Sequence, residues 1–204
     1  MEPQDRSYIE SLVRAIPDFP QPGIIFRDIT TVIKDAKGFT IIMDDLVDRY
    51  REQNIDYVMG AEARGFIFGA ALAYAIGAGF VPARKPGKLP AQVLSASYNL
   101  EYGSNSIEVH KDAIHKGARV LLVDDLLATG GTAKAMTQLV EELEAQVVEL
   151  AFVIELEDLK GRDLLAPYSV YSQLTYWNLD SIAQDRANLL EAKARSSFCL
   201  LWNP

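Results

Sequence analysis

Short apolar runs alternate with polar loops along the chain. Runs of aliphatic residues predict strands at Tyr57–Met59, Phe80–Ala83, Ile107–His110, Val120–Val123 and Val147–Ile154. Apolar residues spaced three or four positions apart predict helices at Tyr8–Ala15, Phe39–Arg51, Phe66–Ile76 and Ala133–Glu144. Strands that alternate with helices predict an α/β fold with a central, mostly parallel sheet flanked by helices. Ligands of such folds bind beyond the carboxyl ends of the strands.

One long uncharged stretch, Gly65–Ala83, approaches the length of a membrane span. Gly77 and Gly79 interrupt it, and Pro82 lies near its end. These breaks favour a helix followed by a short strand. We therefore expect no membrane partner.

The composition indicates a single globular domain with a proper core. The chain has 204 residues, of which 49% are hydrophobic and 24% charged. Its formal net charge of −8 disfavours non-specific binding of nucleic acid, which needs a basic face. The single cysteine, Cys199, cannot form an internal disulfide, so we expect a cytoplasmic location.

The most informative segment is Arg119–Thr132, RVLLVDDLLATGGT. Its aliphatic start predicts a buried parallel strand, and its small residues allow a sharp turn into the next helix. Free N–H groups at a helix N-terminus bind phosphate by hydrogen bonding and through the helix dipole. Asp124 and Asp125 would repel a bare phosphate but suit neighbouring hydroxyls or a developing positive charge. A ribose 5-phosphate combines these features.

The residues of this segment also allow a plainer interpretation. Asp124 and Asp125 could merely cap and solvate a strand–turn–helix connector, because Asp and Gly are common in turns. Neither Gly-x-x-x-x-Gly-Lys-[Ser/Thr] nor Gly-x-Gly-x-x-Gly occurs at this turn. The segment therefore supports neither a P-loop NTPase nor a Rossmann dehydrogenase.

Two further segments are candidate anion sites. Arg64 follows a short apolar strand and opens a helix, where a guanidinium and free N–H groups suit an oxyanion such as pyrophosphate. Arg84, Lys85 and Lys88 form a basic cluster in an acidic chain, which favours a focused anion site. A surface arginine at a helix start and a solvated basic loop remain the alternatives.

Five segments, in order, resemble type I phosphoribosyltransferases, which bind 5-phosphoribosyl 1-pyrophosphate (PRPP). The signature is Asp124-Asp125 followed by Ala128–Thr132, and the segment Phe19–Ile29 is similar to the amino-terminal segment of adenine phosphoribosyltransferases in particular. The remaining three are Glu62–Phe66, Arg84–Pro90 and Leu100–Gly103. The likeness covers about residues 9–174 and implies the family's fold, with a small hood over the base site.

The resemblance implies how the chain would hold PRPP. Asp124 and Asp125 are catalytic, bind the ribose hydroxyls and offset positive charge on the ring. No residue is assigned as a direct metal ligand, because Mg²⁺ would be bound through PRPP and through water to the two carboxylates. The 5-phosphate is assigned to Ala128, Thr129, Gly130, Gly131 and Thr132. Pyrophosphate is assigned to Arg64, Arg84, Lys85, Lys88 and Tyr102.

The polar segment Ser95–Ser104 is typical of a mobile loop. A lid over a charged leaving group would exclude water and prevent hydrolysis of PRPP. By resemblance, Glu101 is the catalytic carboxylate nearest the reacting centre, where it handles the adenine proton or steadies the ribosyl cation. His110 and His115 are expected to be structural or solvated.

The base site needs an apolar slot with hydrogen bonds at its edge. Phe26 could stack on a purine or simply pack after the Pro22-Gly23 turn, and the residues alone do not separate these interpretations. The resemblance assigns adenine to Ile25, Phe26, Arg27 and Leu156. It also implies that the Glu62–Ala63 peptide can be cis.

We therefore expect a pentosyltransferase of purine salvage, which converts PRPP and adenine into AMP and pyrophosphate with Mg²⁺ as cofactor. The alternatives are an enzyme for xanthine or guanine, and a PRPP-sensing regulator without catalysis. The resemblance implies a homodimer in which Arg84 reaches the partner's active site. Residues 1–174 are expected to form one domain with a hood from residues 17–35 and 155–160, followed by an extension, 175–204, with no assigned role.

Overall fold

The computed structural model describes residues 1–100 and 103–177. Its helices are α1 (Pro3–Leu12), α2 (Thr30–Ile33), α3 (Ala36–Tyr50), α4 (Gly65–Ile76), α5 (Gly131–Glu142) and α6 (Gly161–Leu165). Its strands are β1 (Arg14–Pro17), β2 (Ile25–Asp28), β3 (Tyr57–Ala61), β4 (Gly79–Ala83), β5 (Val93–Leu100), β6 (Gly103–His110), β7 (Arg119–Leu127), β8 (Gln146–Leu156) and β9 (Val170–Tyr176).

A five-stranded parallel sheet in the order β4-β3-β7-β8-β9 forms the centre of the fold. Its central strand β7 alternates its aliphatic side chains between two buried clusters. Val120 and Leu122 pack toward α5, whereas Leu121 and Val123 pack toward α3 and α4. Because both faces of the sheet are covered, its strands are nearly continuous apolar runs. The predicted α/β fold with a parallel sheet is confirmed.

The predicted helix Tyr8–Ala15 is wrong at its end. Helix α1 stops at Leu12, and Arg14–Pro17 forms β1, which pairs antiparallel with β2. Arg14 Nε donates to Asp28 Oδ2 over 3.0 Å, so a contact with the second strand overrides the local helical spacing. The two strands form a separate hairpin, and this hairpin contains Ile25, Phe26 and Arg27.

The uncharged stretch Gly65–Ala83 divides into α4 and β4, as its glycines predicted. Gly77 ends α4 in the left-handed region, with φ of 75°. Within residues 1–100 and 103–177, no helix reaches the length and apolarity that a membrane crossing needs.

The segment Ser95–Ser104, predicted to be a mobile loop, is instead mostly β structure. Strands β5 and β6 pair from Val93 opposite His110 to Leu100 opposite Gly103. The polar residues of β5 alternate with Leu94, Ala96 and Tyr98, which belong to the apolar cluster beneath α5. This burial explains why a polar composition still gives a regular strand. Residues 101 and 102 lie outside the described part of the chain.

Candidate functional site

A cavity of about 480 Å³ opens at the carboxyl ends of β3 and β7. Both strands are followed by short connections into helices, so the loops after them share one edge of the sheet. The wall of this cavity includes Asp124, Asp125 and the whole predicted phosphate loop. The residues that line it are Glu62, Ala63, Arg64, Lys85, Tyr98, Ser106, Ile107, Asp124, Asp125, Leu126, Leu127, Ala128, Thr129, Gly130, Gly131, Thr132, Ala133 and Phe152.

Asp124 and Asp125 lie near the carboxyl end of β7, within the strand. The N–H of Asp125 donates to Asp124 Oδ1 over 2.8 Å, and Asp125 is only 7% exposed. Helix α4 approaches so closely that a Cβ on Gly65 would lie 2.8 Å from Asp124 Oδ1. Burial, and then the charge of Asp125, raise the pKa of Asp124 well above its ordinary value. The pair therefore favours a cation or hydrogen-bond donors beside it.

Arg64 supplies positive charge next to this pair. Its Nε lies 2.5 Å from Asp125 Oδ2. Burial raises the pKa of Asp125, and the charge of Arg64 opposes that rise. Arg64, which is predicted to bind pyrophosphate, is thus also the partner of Asp125, a predicted catalytic carboxylate. Both residues line the cavity.

The predicted phosphate loop, Ala128–Thr132, forms the floor of the cavity and turns into α5. Gly130 adopts φ of 84°, a left-handed conformation that favours glycine. Gly131 opens α5, and a Cβ there would lie 3.0 Å from Cδ2 of Tyr98. The loop therefore combines a glycine turn with the N-terminus of a helix, the arrangement that binds phosphate.

Only Lys85 of the basic cluster lines the cavity. Arg84 instead turns toward Glu62, with Nε 3.1 Å from Glu62 Oε2, and its Nη1 donates to Lys88 O over 3.1 Å. The Lys85 N–H also donates to Glu62, and the Arg84 guanidinium lowers the pKa of Glu62. The Glu62–Ala63 peptide is cis. Arg84 and Lys88 are therefore not brought to the cavity of this chain, although Arg84 fixes a carboxylate that lines it.

Of the predicted base residues, Ile25, Phe26 and Arg27 lie on β2, and Leu156 is the last residue of β8. The Phe26 ring packs edge-on against Phe19, with centroids 5.2 Å apart. Arg64 Cζ lies 5.8 Å from the centroid of the Phe26 ring. Phe26 is therefore next to the residue that contacts the acidic pair.

Arg27 and Leu156 are connected through the end of β9. Arg27 Cζ lies 4.5 Å above the ring centroid of Tyr176, and Tyr176 is opposite Leu156 in the parallel register. These contacts place Arg27 of β2 beside the ends of β8 and β9. Tyr176 is a link that the sequence did not suggest.

Glu101 and Tyr102 fall outside the described residues. The strands on either side of them contribute Tyr98 and Ser106 to the cavity wall. The sequence also missed Phe152, which lines the cavity opposite Asp124 in the register of β7 and β8. Phe152 could have been predicted by aligning the apolar run of β8 with that of its neighbour β7, because this alignment gives the register of the two strands.

Comparisons of the sequence and of the structure with known proteins point to the same family. Residues 30–182 match the family model described as "Phosphoribosyl transferase domain". An adenine phosphoribosyltransferase from Acidobacterium capsulatum is 55% identical over 168 residues, which cover 82% of this chain and 93% of that protein.

Solved structures agree with the sequence match. The adenine phosphoribosyltransferase of Thermoanaerobacter pseudethanolicus superposes with a TM-score of 0.81 at 50% identity, covering 84% of this chain and 99% of that one. The enzyme from Saccharomyces cerevisiae, complexed with an imino-altritol bisphosphate and adenine, gives a TM-score of 0.79 at 42% identity, with coverage of 84% and 99%.

Proposed function

The chain belongs to the phosphoribosyltransferase family, and we propose that it transfers the 5-phosphoribosyl group of PRPP to N9 of adenine, forming AMP and pyrophosphate. One observation carries this proposal: the acidic pair, Arg64, Lys85 and the phosphate loop line a single cavity, beside a hood with an aromatic residue. A phosphate, a sugar and a second anionic group need these features in this order. The chain is thus a pentosyltransferase of purine salvage.

The acidic pair is proposed to serve the sugar. During transfer the bond from ribose C1 to the pyrophosphate oxygen breaks, and the bond from C1 to adenine N9 forms. Positive charge builds on the ring in between, and carboxylates fixed beside it stabilise that state more than the reactants. Asp124 and Asp125 are already in place, because the strand and Gly65 fix them.

The leaving group and the adenine proton are assigned to other residues. Arg64 and Lys85 are proposed to bind the pyrophosphate, since a guanidinium with five donors can serve both Asp125 and an oxyanion. Arg84, Lys88 and Tyr102 are proposed to contribute from around the cavity. Glu101 is proposed to accept the proton that adenine loses, or to steady the ribosyl cation.

The base is proposed to bind between Phe26 and Leu156, with Ile25 and Arg27 at its edge. The half-buried Phe26 ring offers a flat apolar face close to Arg64. One face of the slot then comes from Leu156, which belongs to the sheet. The other face comes from β2, which contacts the sheet where Arg27 stacks on Tyr176.

Mg²⁺ is the proposed cofactor, and the acidic pair fits it. Two adjoining carboxylates, both with pKa values that burial raises, lack sufficient positive charge for their burial. No group of three or more His, Cys, Asp or Glu side chains suited to a metal occurs among the described residues. Asp124 and Asp125 would therefore hold the ion through water while PRPP supplies other ligands. When bound, the ion would neutralise charge on the departing pyrophosphate.

We also propose a homodimer, supported by the surface of α4. This helix carries no charged residue, and helices that are apolar all round are normally buried. Yet Ile67 is 40% exposed and Tyr74 is 91% exposed. A second copy of the chain is the proposed cover, and Arg84 is proposed to approach the partner's site. The single cysteine supports a cytoplasmic location.

We also propose a domain arrangement for the chain. Residues 1–174 are proposed to act as one catalytic domain, with residues 17–35 and 155–160 forming the hood. The extension 175–204 has no proposed role, and β9 runs into it as far as Tyr176.

A purine panel tests the choice of base. The protein is incubated with PRPP, Mg²⁺ and adenine, hypoxanthine, guanine or xanthine in turn, and nucleotide and pyrophosphate are measured. The proposal expects the highest kcat/KM with adenine. A preference for guanine or xanthine would support the first alternative, and PRPP binding without turnover of any base would support a regulator.

A further inference from the structure

The backbone at the start of α6 touches the phosphate loop. A Cβ on Gly161 would lie 2.3 Å from Ala128 O, and one on Gly130 would lie 2.8 Å from Gly161 O. Real Cβ atoms do not approach other atoms so closely, and these neighbours are backbone atoms that cannot swing away. The outer side of the loop therefore rests on the main chain of Gly161.

An ion pair between the partly exposed Arg162 and the buried Glu155 holds Gly161 in this place. The next residue, Arg162, donates from Nε to Glu155 Oε1 and from Nη2 to Glu155 Oε2, each over 2.7 Å. Its Nη1 also donates to Val170 O over 2.8 Å. Such two-pronged contacts fix orientation as well as distance. Arg162 thus ties α6 to both β8 and β9.

The same pair is joined to the strand that enters the phosphate loop. Glu155 is only 2% exposed and lies opposite Leu127 in the register of β7 and β8. Leu127 immediately precedes the loop, and its Cδ1 would be 2.8 Å from a Cβ on Gly161. The ion pair and the loop therefore share one strand pair as their base.

We propose that Gly161 and the Arg162–Glu155 pair are positioning residues for the 5-phosphate loop, an inference that rests on the proposed function. They hold the wall behind Ala128–Thr132 so that the N–H groups of the loop stay in the geometry that phosphate binding needs. Phosphate contacts act in the ground state and the transition state alike. Their loss therefore raises the KM for PRPP more than it lowers kcat.

The experiment compares Arg162→Lys with a matched control, Arg49→Lys. Arg49 makes an equivalent pair of bonds, of 2.7 and 2.8 Å, to Glu149, a buried residue near the other end of the same strand β8. Both changes keep the charge and remove the two-pronged geometry. Thermal unfolding, the KM values for PRPP and adenine, and the calorimetric Kd for ribose 5-phosphate are measured for each.

R162K is expected to raise the PRPP KM and the ribose 5-phosphate Kd roughly 10-fold, below the ~10²-fold that a 1 Å displacement can cost. The adenine KM stays unchanged, and R49K lowers thermal stability without changing either phosphate measurement. Gly161→Ala, which leaves the ion pair intact, is expected to weaken ribose 5-phosphate binding as well.

Equal weakening in R49K and R162K would overturn the proposal, because any lost ion pair would then have the same effect. So would unchanged ribose 5-phosphate binding in R162K or, if R162K does not fold, in G161A. Wild-type protein that binds ribose 5-phosphate but forms no AMP would contradict the proposed function instead. The binding comparison separates the two failures.

Discussion

The Nε atom of Arg64 lies 2.5 Å from Oδ2 of Asp125, although the two residues are 61 positions apart in the sequence. Arg64 precedes α4 and Asp125 is near the end of β7, so the contact joins two neighbouring strands at the cavity. Arg64 Cζ also lies 5.8 Å from the Phe26 ring centroid. One guanidinium therefore touches the proposed sugar site and borders the proposed base site.

Asp125→Asn is expected to lower kcat by about 10²–10³-fold, the usual effect of removing one fixed electrostatic group. AMP binding should weaken far less, because the charge on the ribose ring exists only during transfer. Steady-state kinetics and calorimetric titration with AMP measure the two effects. Asp44→Asn, on the exposed face of α3, is the matched control and should leave both unchanged. Near-normal turnover of D125N would refute the catalytic role of Asp125.

Phe26→Ala should raise the KM for adenine while the KM for PRPP stays nearly constant. The change removes a ring from the β1–β2 hairpin but leaves the residues that line the phosphate cavity intact. Phe26→Tyr keeps the ring and should behave much like the wild type. Initial rates with each substrate varied in turn provide the test, and an equal loss for both substrates would speak against the slot.

Asp124→Asn should increase the stability of the protein near neutral pH. The folded pKa of Asp124 lies well above its unfolded value, so the folded state binds more protons between these two values. Wild-type stability therefore falls as pH rises through that window, and the variant lacks this loss. Thermal unfolding at pH 7 should show a higher Tm for D124N, and the difference should shrink toward pH 4. A lower Tm at pH 7 would mean that the charge of Asp124 is stabilised.

Asp28→Asn provides a comparison of opposite sign. Hydrogen bonds from Thr30, followed by Arg14, lower the pKa of Asp28 to about 2. This carboxylate therefore contributes stability that is present above its unfolded pKa and is lost as pH falls toward 2. D28N should lower the Tm at pH 7, with a smaller effect as pH approaches 2. A Tm at pH 7 equal to that of the wild type would show that the Arg14–Asp28 contact does not stabilise the hairpin.

Tyr74→Glu should shift the protein from dimer to monomer. The change places a charge on the apolar outer face of α4, where a second copy is proposed to bind. Sedimentation velocity over a range of protein concentrations measures the shift. Arg51→Glu, an exposed position after α3, serves as a control for added negative charge. A wild-type protein that remains monomeric throughout would contradict the proposed dimer.

The sheet could be predicted from the sequence because its strands are buried on both faces. Val120–Val123 and Val147–Ile154 read as continuous apolar runs, and each proved to be part of a longer strand. The glycine turn at Gly130 was also local information, since few residues adopt positive φ.

The rest of the site depends on contacts between distant segments. The β1–β2 hairpin is short, and the spacing near Arg14 imitates a helix until Asp28 pairs with it. No local pattern shows that Gly161 supports the phosphate loop or that Arg84 turns toward Glu62. Such contacts exist only once the sheet has brought the segments together, so the site residues were predicted by resemblance more than by pattern.

The most direct test of the proposed activity is the ratio of products formed from PRPP and labelled adenine. With Mg²⁺ present, the account predicts one AMP for each pyrophosphate released, and neither product in quantity when adenine is omitted. Release of pyrophosphate without labelled nucleotide would indicate hydrolysis of PRPP, and would contradict phosphoribosyl transfer to adenine.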